Sequence, residues 1–291
     1  MKLSAVGVKR IHKLRGDLNE EGYENKKLVM SVDGSYTNST VLKALPENVT
    51  LIGRARKDCK LHKLPEQTSS KTGRRKVYGD TLPTPEQIRQ SEQYPWERVE
   101  AWAFGAKRFF DVKRVTNVRW RKSGPINLQL IIIRPTPYKL NKKSRLLYRE
   151  PVYLLCTNTE MQIEKILQAY LWRWGIEVNF KEQKTIFGCG QAQVRTEKPC
   201  EKVPVFHTAV YSMLLLAAQK VKEKQLPRPK WYRKKEKENV TTGDLLNAFR
   251  ANNWAENINI NFSDFVNLER LQRSRKNSTN PNISAVLYAR Y

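Results

Sequence analysis

Leu28-Val29-Met30-Ser31-Val32-Asp33-Gly34-Ser35-Tyr36 is the stretch that decides the fold. Its first five residues form a short apolar run bounded by the turn-forming Asp-Gly-Ser. They predict a buried strand that ends at Asp33. Thr37 to Leu45 predicts a helix that Pro46 closes, and Val49-Thr50-Leu51-Ile52 predicts a second strand. Strand, helix and strand in succession build sheets with parallel neighbours, which points to an α/β class. Upstream, residues 1–27 read as mixed and charged, with a turn-like Arg15-Gly16-Asp17 and an acidic stretch from Glu20 to Glu24.

Downstream, Arg54 to Pro95 reads as basic and irregular. Val99 to Phe104, Val115 to Arg121, Leu128 to Arg134 and Val152 to Cys156 then favour strand, and Gly124-Pro125 marks a turn. Thr159-Glu160-Met161-Gln162 fits a capping box, from which a long helix is expected to reach about Lys184. Gly188 and Gly190 should stop it. A second, apolar helix is expected over about Val203 to Lys222, a linker at Pro227 and Pro229, and a smaller helical region over about Val240 to Trp254. Asn277 to Asn282 reads as a mobile loop.

Charge narrows the function. Lys and Arg total 54 against 28 Asp and Glu, a net charge of +26 that argues for a polyanionic partner. The cations cluster at Arg54–Lys76, Lys139–Arg149 and Lys220–Lys237, interleaved with Tyr138, Tyr148, Trp231 and Tyr232. Rings can stack on bases while their neighbours neutralise phosphates. In the third cluster, Lys230, Arg233, Lys234 and Lys235 are candidate phosphate contacts. The apolar run Val205–Ala218 is broken by His207, Thr208, Tyr211 and Ser212, so no transmembrane helix is expected. Leu3 to Val8 is too short for a secretory core, and a cytoplasmic address follows. Cys59, Cys156, Cys189 and Cys200 form no CxxC pair, and their spacing to histidine matches no common zinc site.

The segment Tyr170-Leu-Trp-Arg173-Trp-Gly-Ile-Glu177-Val-Asn-Phe-Lys-Glu-Gln-Lys184 carries the chemistry. At about 100° per residue, Arg173, Glu177 and Lys184 fall within roughly 60° of Tyr170, one stripe of a single helix. Leu171, Trp172, Ile176 and Phe180 lie off that stripe. By geometry alone this is also what a solvated face laced by i,i+4 pairs presents.

The spacing Tyr-x2-Arg-x3-Glu-x6-Lys resembles the YREK signature of bacterial insertion-sequence transposases of the DDE type. Trp172-Arg173-Trp174, Ile176, Phe180 and Phe187-Gly188 resemble its flanks, and Val32-Asp33-Gly34-Ser35-Tyr36 is similar to that family's second aspartate motif. The resemblance covers roughly residues 28–220. It implies an RNase H-like core interrupted by a β-rich insertion. The core would occupy 1–55 and 157–224, the insertion 56–156, and a basic helical C-terminal region 225–291. It also implies that Asp33 and Glu177 are catalytic carboxylates holding a pair of Mg²⁺ or Mn²⁺ ions. Tyr170, Arg173 and Lys184 would grip double-stranded transposon-end DNA, two copies pairing two ends as a homodimer on the bacterial nucleoid. Only 32 residues precede Asp33, with no strand to carry the family's first aspartate. The chain is therefore expected to be a truncated, C-terminal part of such a protein. A DNA-binding remnant without chemistry and an RNase H-like nuclease outside transposition are the other readings; the YREK spacing favours the transposase.

Overall fold

A computed structural model of the chain describes residues 2–66, 75–103, 105–141, 143–220 and 241–257. It divides into two compact units, Met1–Trp174 and Gly175–Tyr291.

The first unit is mixed α/β. Helix α1 (Leu3–Glu20) leads to strand β1 (Leu28–Val32), short helix α2 (Ser39–Leu42), and strands β2 (Val49–Arg54) and β3 (Leu61–His62). Helix α3 (Pro85–Gln90) follows, then β4 (Glu97–Ala103), β5 (Ala106–Trp120), a 3₁₀ turn (Arg121–Ser123) and β6 (Asn127–Ile133). A small ribbon, β7 (Pro137–Tyr138) with β8 (Leu147–Tyr148), precedes β9 (Val152–Cys156) and helix α4 (Ile163–Trp172). The sheet order is β1-β2-β9-β6-β5-β3, with β4 also paired to β5. The pair β1-β2 is parallel and the rest are antiparallel. The sheet therefore runs without interruption through residues 1–55 and 56–156. Among the described residues no helix is long and apolar enough to cross a membrane.

Both faces of this sheet are covered, which explains β6. Leu128, Leu130 and Ile132 join Leu51, Tyr153 and Leu155 in one core with Ile11, Val41 and Ile88 of the first three helices. Ile131 and Ile133 join Ile52, Leu154 and Cys156 in the other, against Ile163, Ile166 and Leu167 of α4. A strand buried on both faces reads as a continuous apolar run, as Leu130-Ile-Ile-Ile133 does. Burial of each α4 side chain contributes roughly 1.5–3 kcal/mol. Gln129, buried among them, donates to the Asn158 and Met161 carbonyls and accepts from Arg114 Nε at 2.8 Å. Strand β5 bulges between Val115 and Val118, where Asn117 takes φ 56°.

The strands at 28–32, 49–52, 128–134 and 152–156 agree with the sequence reading to within two residues. Four expectations are corrected. Residues 3–20 are helical, and Arg15, expected in a turn, is buried on α1. Its guanidinium bonds Asn19 Oδ1 at 2.8 Å and the Tyr23 and Lys26 carbonyls at 2.6 Å, which ties down the chain leading into β1. The helix expected over Thr37–Leu45 is one turn. Thr159 caps nothing: α4 starts at Ile163 with no side-chain cap, because the apolar residues that reach the sheet begin there. Finally, the helix expected to reach Lys184 is interrupted by one residue, Arg173, whose φ −52° and ψ −33° remain helical, which separates α4 from the next helix.

The second unit contains α5 (Trp174–Thr185), α6 (Glu197–Lys220) and α7 (Thr242–Asn257). Gly188 and Gly190, at φ 69° and 93°, end the first of these as expected. Helix α6 starts earlier than the sequence reading and runs through Pro204. Glu182 Oε2 accepts from Tyr211 and Thr242 hydroxyls, both at 2.7 Å, which ties α5 to α6 and α7. The expected linker at Pro227 and Pro229 and the loop at Asn277–Asn282 lie outside the described residues.

Candidate functional site

Asp33 caps the carboxyl end of β1. Its Oδ1 accepts from the Ser35 backbone N–H at 2.8 Å and from the Ser35 hydroxyl. Its carbonyl accepts from Tyr36 N–H at 3.3 Å and Thr37 Oγ1 at 3.2 Å. Asn38 closes the loop: its amide donates to the Ser35 carbonyl at 2.7 Å while its Oδ1 caps α2 through Val41 N–H. The Ser35 hydroxyl first, then the Ser35 and Tyr36 N–H groups and the Arg173 charge, hold the Asp33 carboxyl below the usual aspartate range; partial burial opposes them. Asp33 is exposed and ionised at neutral pH.

Arg173 belongs here because of α4. That helix packs on β1, β2 and β4, and its end lies close enough to the end of β1 for the Arg173 charge to act on Asp33. The Arg173 guanidinium lies 6.0 Å from the Tyr170 ring centroid. Tyr170 and Arg173 thus sit on the first unit with Asp33. Glu177 and Lys184 sit on the second, exposed in the first and last turns of α5. Lys230, Arg233, Lys234 and Lys235 lie outside the described residues.

A groove of about 1020 Å³ opens next to Asp33, at Gly34. Arg54, Arg56, Lys60, Arg121 and Lys122 line it. Their convergence was not read from the sequence, because 54–60 and 121–122 are brought together by the pairing of Leu61 with Trp120 and His62 with Arg119. Cys59 borders the groove, with its thiol pushed up to about 12 by burial, far from a reactive thiolate. Trp120, at the end of β5, is buried, and Tyr138, a candidate for base stacking, is half-buried with the Arg149 guanidinium 5.1 Å from its ring.

No protein-family model matches the sequence, and no curated protein matches it. Among the described residues no three His, Cys, Asp or Glu side chains gather into a group that could hold a metal ion. The donor type does suit a hard cation: Asp33 presents an ionised oxygen at the end of a packed strand, and Glu177 an exposed one on a helix.

Proposed function

We propose that this chain is a DNA-processing protein of the DDE transposase kind, with β1, β2 and α4 belonging to an RNase H-like core whose sheet the strands of residues 56–156 extend. The observation that carries the reading is the meeting of two motifs. Asp33, in the aspartate-like motif, follows the last residue of β1, and α4, whose end carries Tyr170 and Arg173 of the YREK-like motif, packs on that strand. A parallel strand pair ending in that carboxylate supports the same reading.

Asp33 and Glu177 would hold Mg²⁺ or Mn²⁺. Bound there, the ions supply a hydroxide from water and neutralise the leaving oxygen of a phosphodiester. Arg173 offers a bidentate contact to a phosphate and Tyr170 packs against it; Lys184 offers a point charge. The partner is double-stranded DNA at a transposon end, with two copies of the chain pairing two ends in a bacterial cytoplasm.

The test is cleavage of the DNA that flanks this reading frame, with Mg²⁺ and with Mn²⁺. Cleavage that disappears in Glu177→Gln and in Asp33→Asn, while DNA binding in EDTA is retained, supports the assignment of both carboxylates. Cleavage unaffected by Asp33→Asn overturns the assignment. Binding without any cleavage favours the second reading, a DNA-binding remnant.

A further inference from the structure

We propose that the groove beside Asp33 seats one strand of DNA, held by its phosphates. This rests on the DNA-processing reading and extends it to a surface outside the two motifs. The groove is lined by Gly34, by Arg54 at the end of β2 and Arg56 just beyond it, and by Arg121 and Lys122 in the 3₁₀ turn after β5. Its volume of about 1020 Å³ is that of a large ligand pocket, roughly 300–1,000 Å³ being usual. A concavity of that volume accommodates a few nucleotides of one strand.

The lining is predominantly cationic. Five cations face a single acid, Asp58, whose two carboxylate oxygens are both taken by Arg56 at 3.0 Å. Two of the remaining cations are held in place. Arg121 bonds His62 Nε2 through its Nε at 3.3 Å and lies 5.7 Å from the Tyr78 ring centroid. That hydrogen bond leaves the two terminal nitrogens of the guanidinium fork for an anion. Lys122 Nζ lies 5.4 Å from the Trp120 ring centroid. Each ring has a cation over it, and Trp120 is itself buried, so these rings position charge and offer no platform for a base. Contacts of this kind fix a backbone without reading its sequence.

The experiment is a fluorescence-anisotropy titration of the full chain with labelled oligo-dT in EDTA at a series of salt concentrations. Log affinity against log salt falls by about 0.7 for each phosphate neutralised on a single strand. The triple variant Lys60→Ala, Arg121→Ala, Lys122→Ala should therefore reduce the slope by about 2 and weaken binding roughly tenfold or more at low salt. An unchanged slope overturns the proposal. So does a variant that loses duplex binding but holds oligo-dT as before, or a wild-type chain that binds oligo-U more tightly than oligo-dT. If thermal melting shows the triple variant to be unfolded, Lys60→Glu and Lys122→Glu, both at exposed positions, carry the same test singly. Each should lower the slope, and no change in either overturns the groove. Metal-dependent cleavage with an unchanged slope refutes the groove and leaves the DNA-processing reading standing; a changed slope without cleavage does the reverse.

Discussion

Gly53 is the position where the fold presses hardest on the candidate site. It pairs with Val32 across β1-β2, directly beneath the loop that carries Asp33. A Cβ built on it would stand 2.2 Å from Thr37 Oγ1, 3.0 Å from Val32 Cγ2 and 3.3 Å from Leu51 Cδ2. Ordinary contact begins at 3.4 Å, so Gly53→Ala requires the Thr37 hydroxyl to retreat by more than 1 Å. Thr37 is buried and donates to the Asp33 carbonyl at 3.2 Å, so the retreat pulls on the Asp33 loop itself. Overpacking of this kind costs about 1–3 kcal/mol, and the reduced freedom of the unfolded chain offsets about 0.4–1 of it. We expect a net loss of about 1–2 kcal/mol in urea unfolding. The double variant Gly53→Ala, Thr37→Ala removes the clashing oxygen at the cost of one hydrogen bond, about 0.5–1.5 kcal/mol. It should be at least as stable as Gly53→Ala alone, with a favourable coupling in the cycle. Gly53→Ala within about 0.5 kcal/mol of wild type would refute the reasoning, and so would additive losses in the double variant.

Three further outcomes are expected. Lys113→Met should destabilise by about 3–5 kcal/mol in denaturant unfolding. Its Nζ is the donor to the Ile88, Arg89 and Ser91 carbonyls at 3.1, 3.0 and 2.6 Å, beneath the end of α3. Glu86, bound by Arg89, Tyr153 and Gln90, has its carboxyl lowered from 4.5 to about 2, Arg89 contributing most. A depressed acid contributes stability above its unfolded pKa and loses it as pH falls through the folded one. Unfolding measured between about pH 5 and 2 should show that loss in wild type and a flatter acid limb in Glu86→Gln. Arg173→Ala should weaken binding to end DNA more than to random duplex in a competition assay, with the melting temperature unchanged; equal losses on both DNAs return Arg173 to a general basic surface.

Two segments with the same T-x-x-Q pattern show what the sequence disclosed and what it withheld. Thr84-Pro85-Glu86-Gln87, inside a stretch read as irregular, forms a full capping box on α3. Thr159-Glu160-Met161-Gln162, read as a cap, does not. The difference is Pro85, which fixes a helical φ at the first position of α3. At 158–162 Asn158 instead accepts from Glu160 N–H at 3.0 Å and holds the chain in a turn. Helix α1 was illegible for another reason. Its apolar residues are sparse, and its anchoring rests on a buried arginine and on Gly7, where a Cβ would meet the Tyr36 ring at 2.6 Å. The strands at 28–32, 49–52, 128–134 and 152–156 were legible because apolar runs bounded by turn residues leave little choice, whereas β5 starts at Ala106, nine residues before the apolar stretch that marked it. The groove was not, because strand register, a long-range property, assembles its cations.

The break at Arg173 alters how the YREK-like residues must be understood. The Arg173 N–H bonds the Tyr170 carbonyl at 3.2 Å, closing a tighter turn, and Gly175 follows, a residue that weakens helix by about 1 kcal/mol. Tyr170 and Arg173 are therefore placed by α4, and α4 is placed by Ile163, Ile166 and Leu167 on the sheet. Ser35 is the first cause of the lowered Asp33 carboxyl, and the Arg173 charge comes last among the groups that lower it. Asp33 is therefore held charged mainly by its own loop. On the DNA-processing reading proposed above, a phosphate that draws the Arg173 guanidinium away would leave an ionised carboxylate free to face a cation.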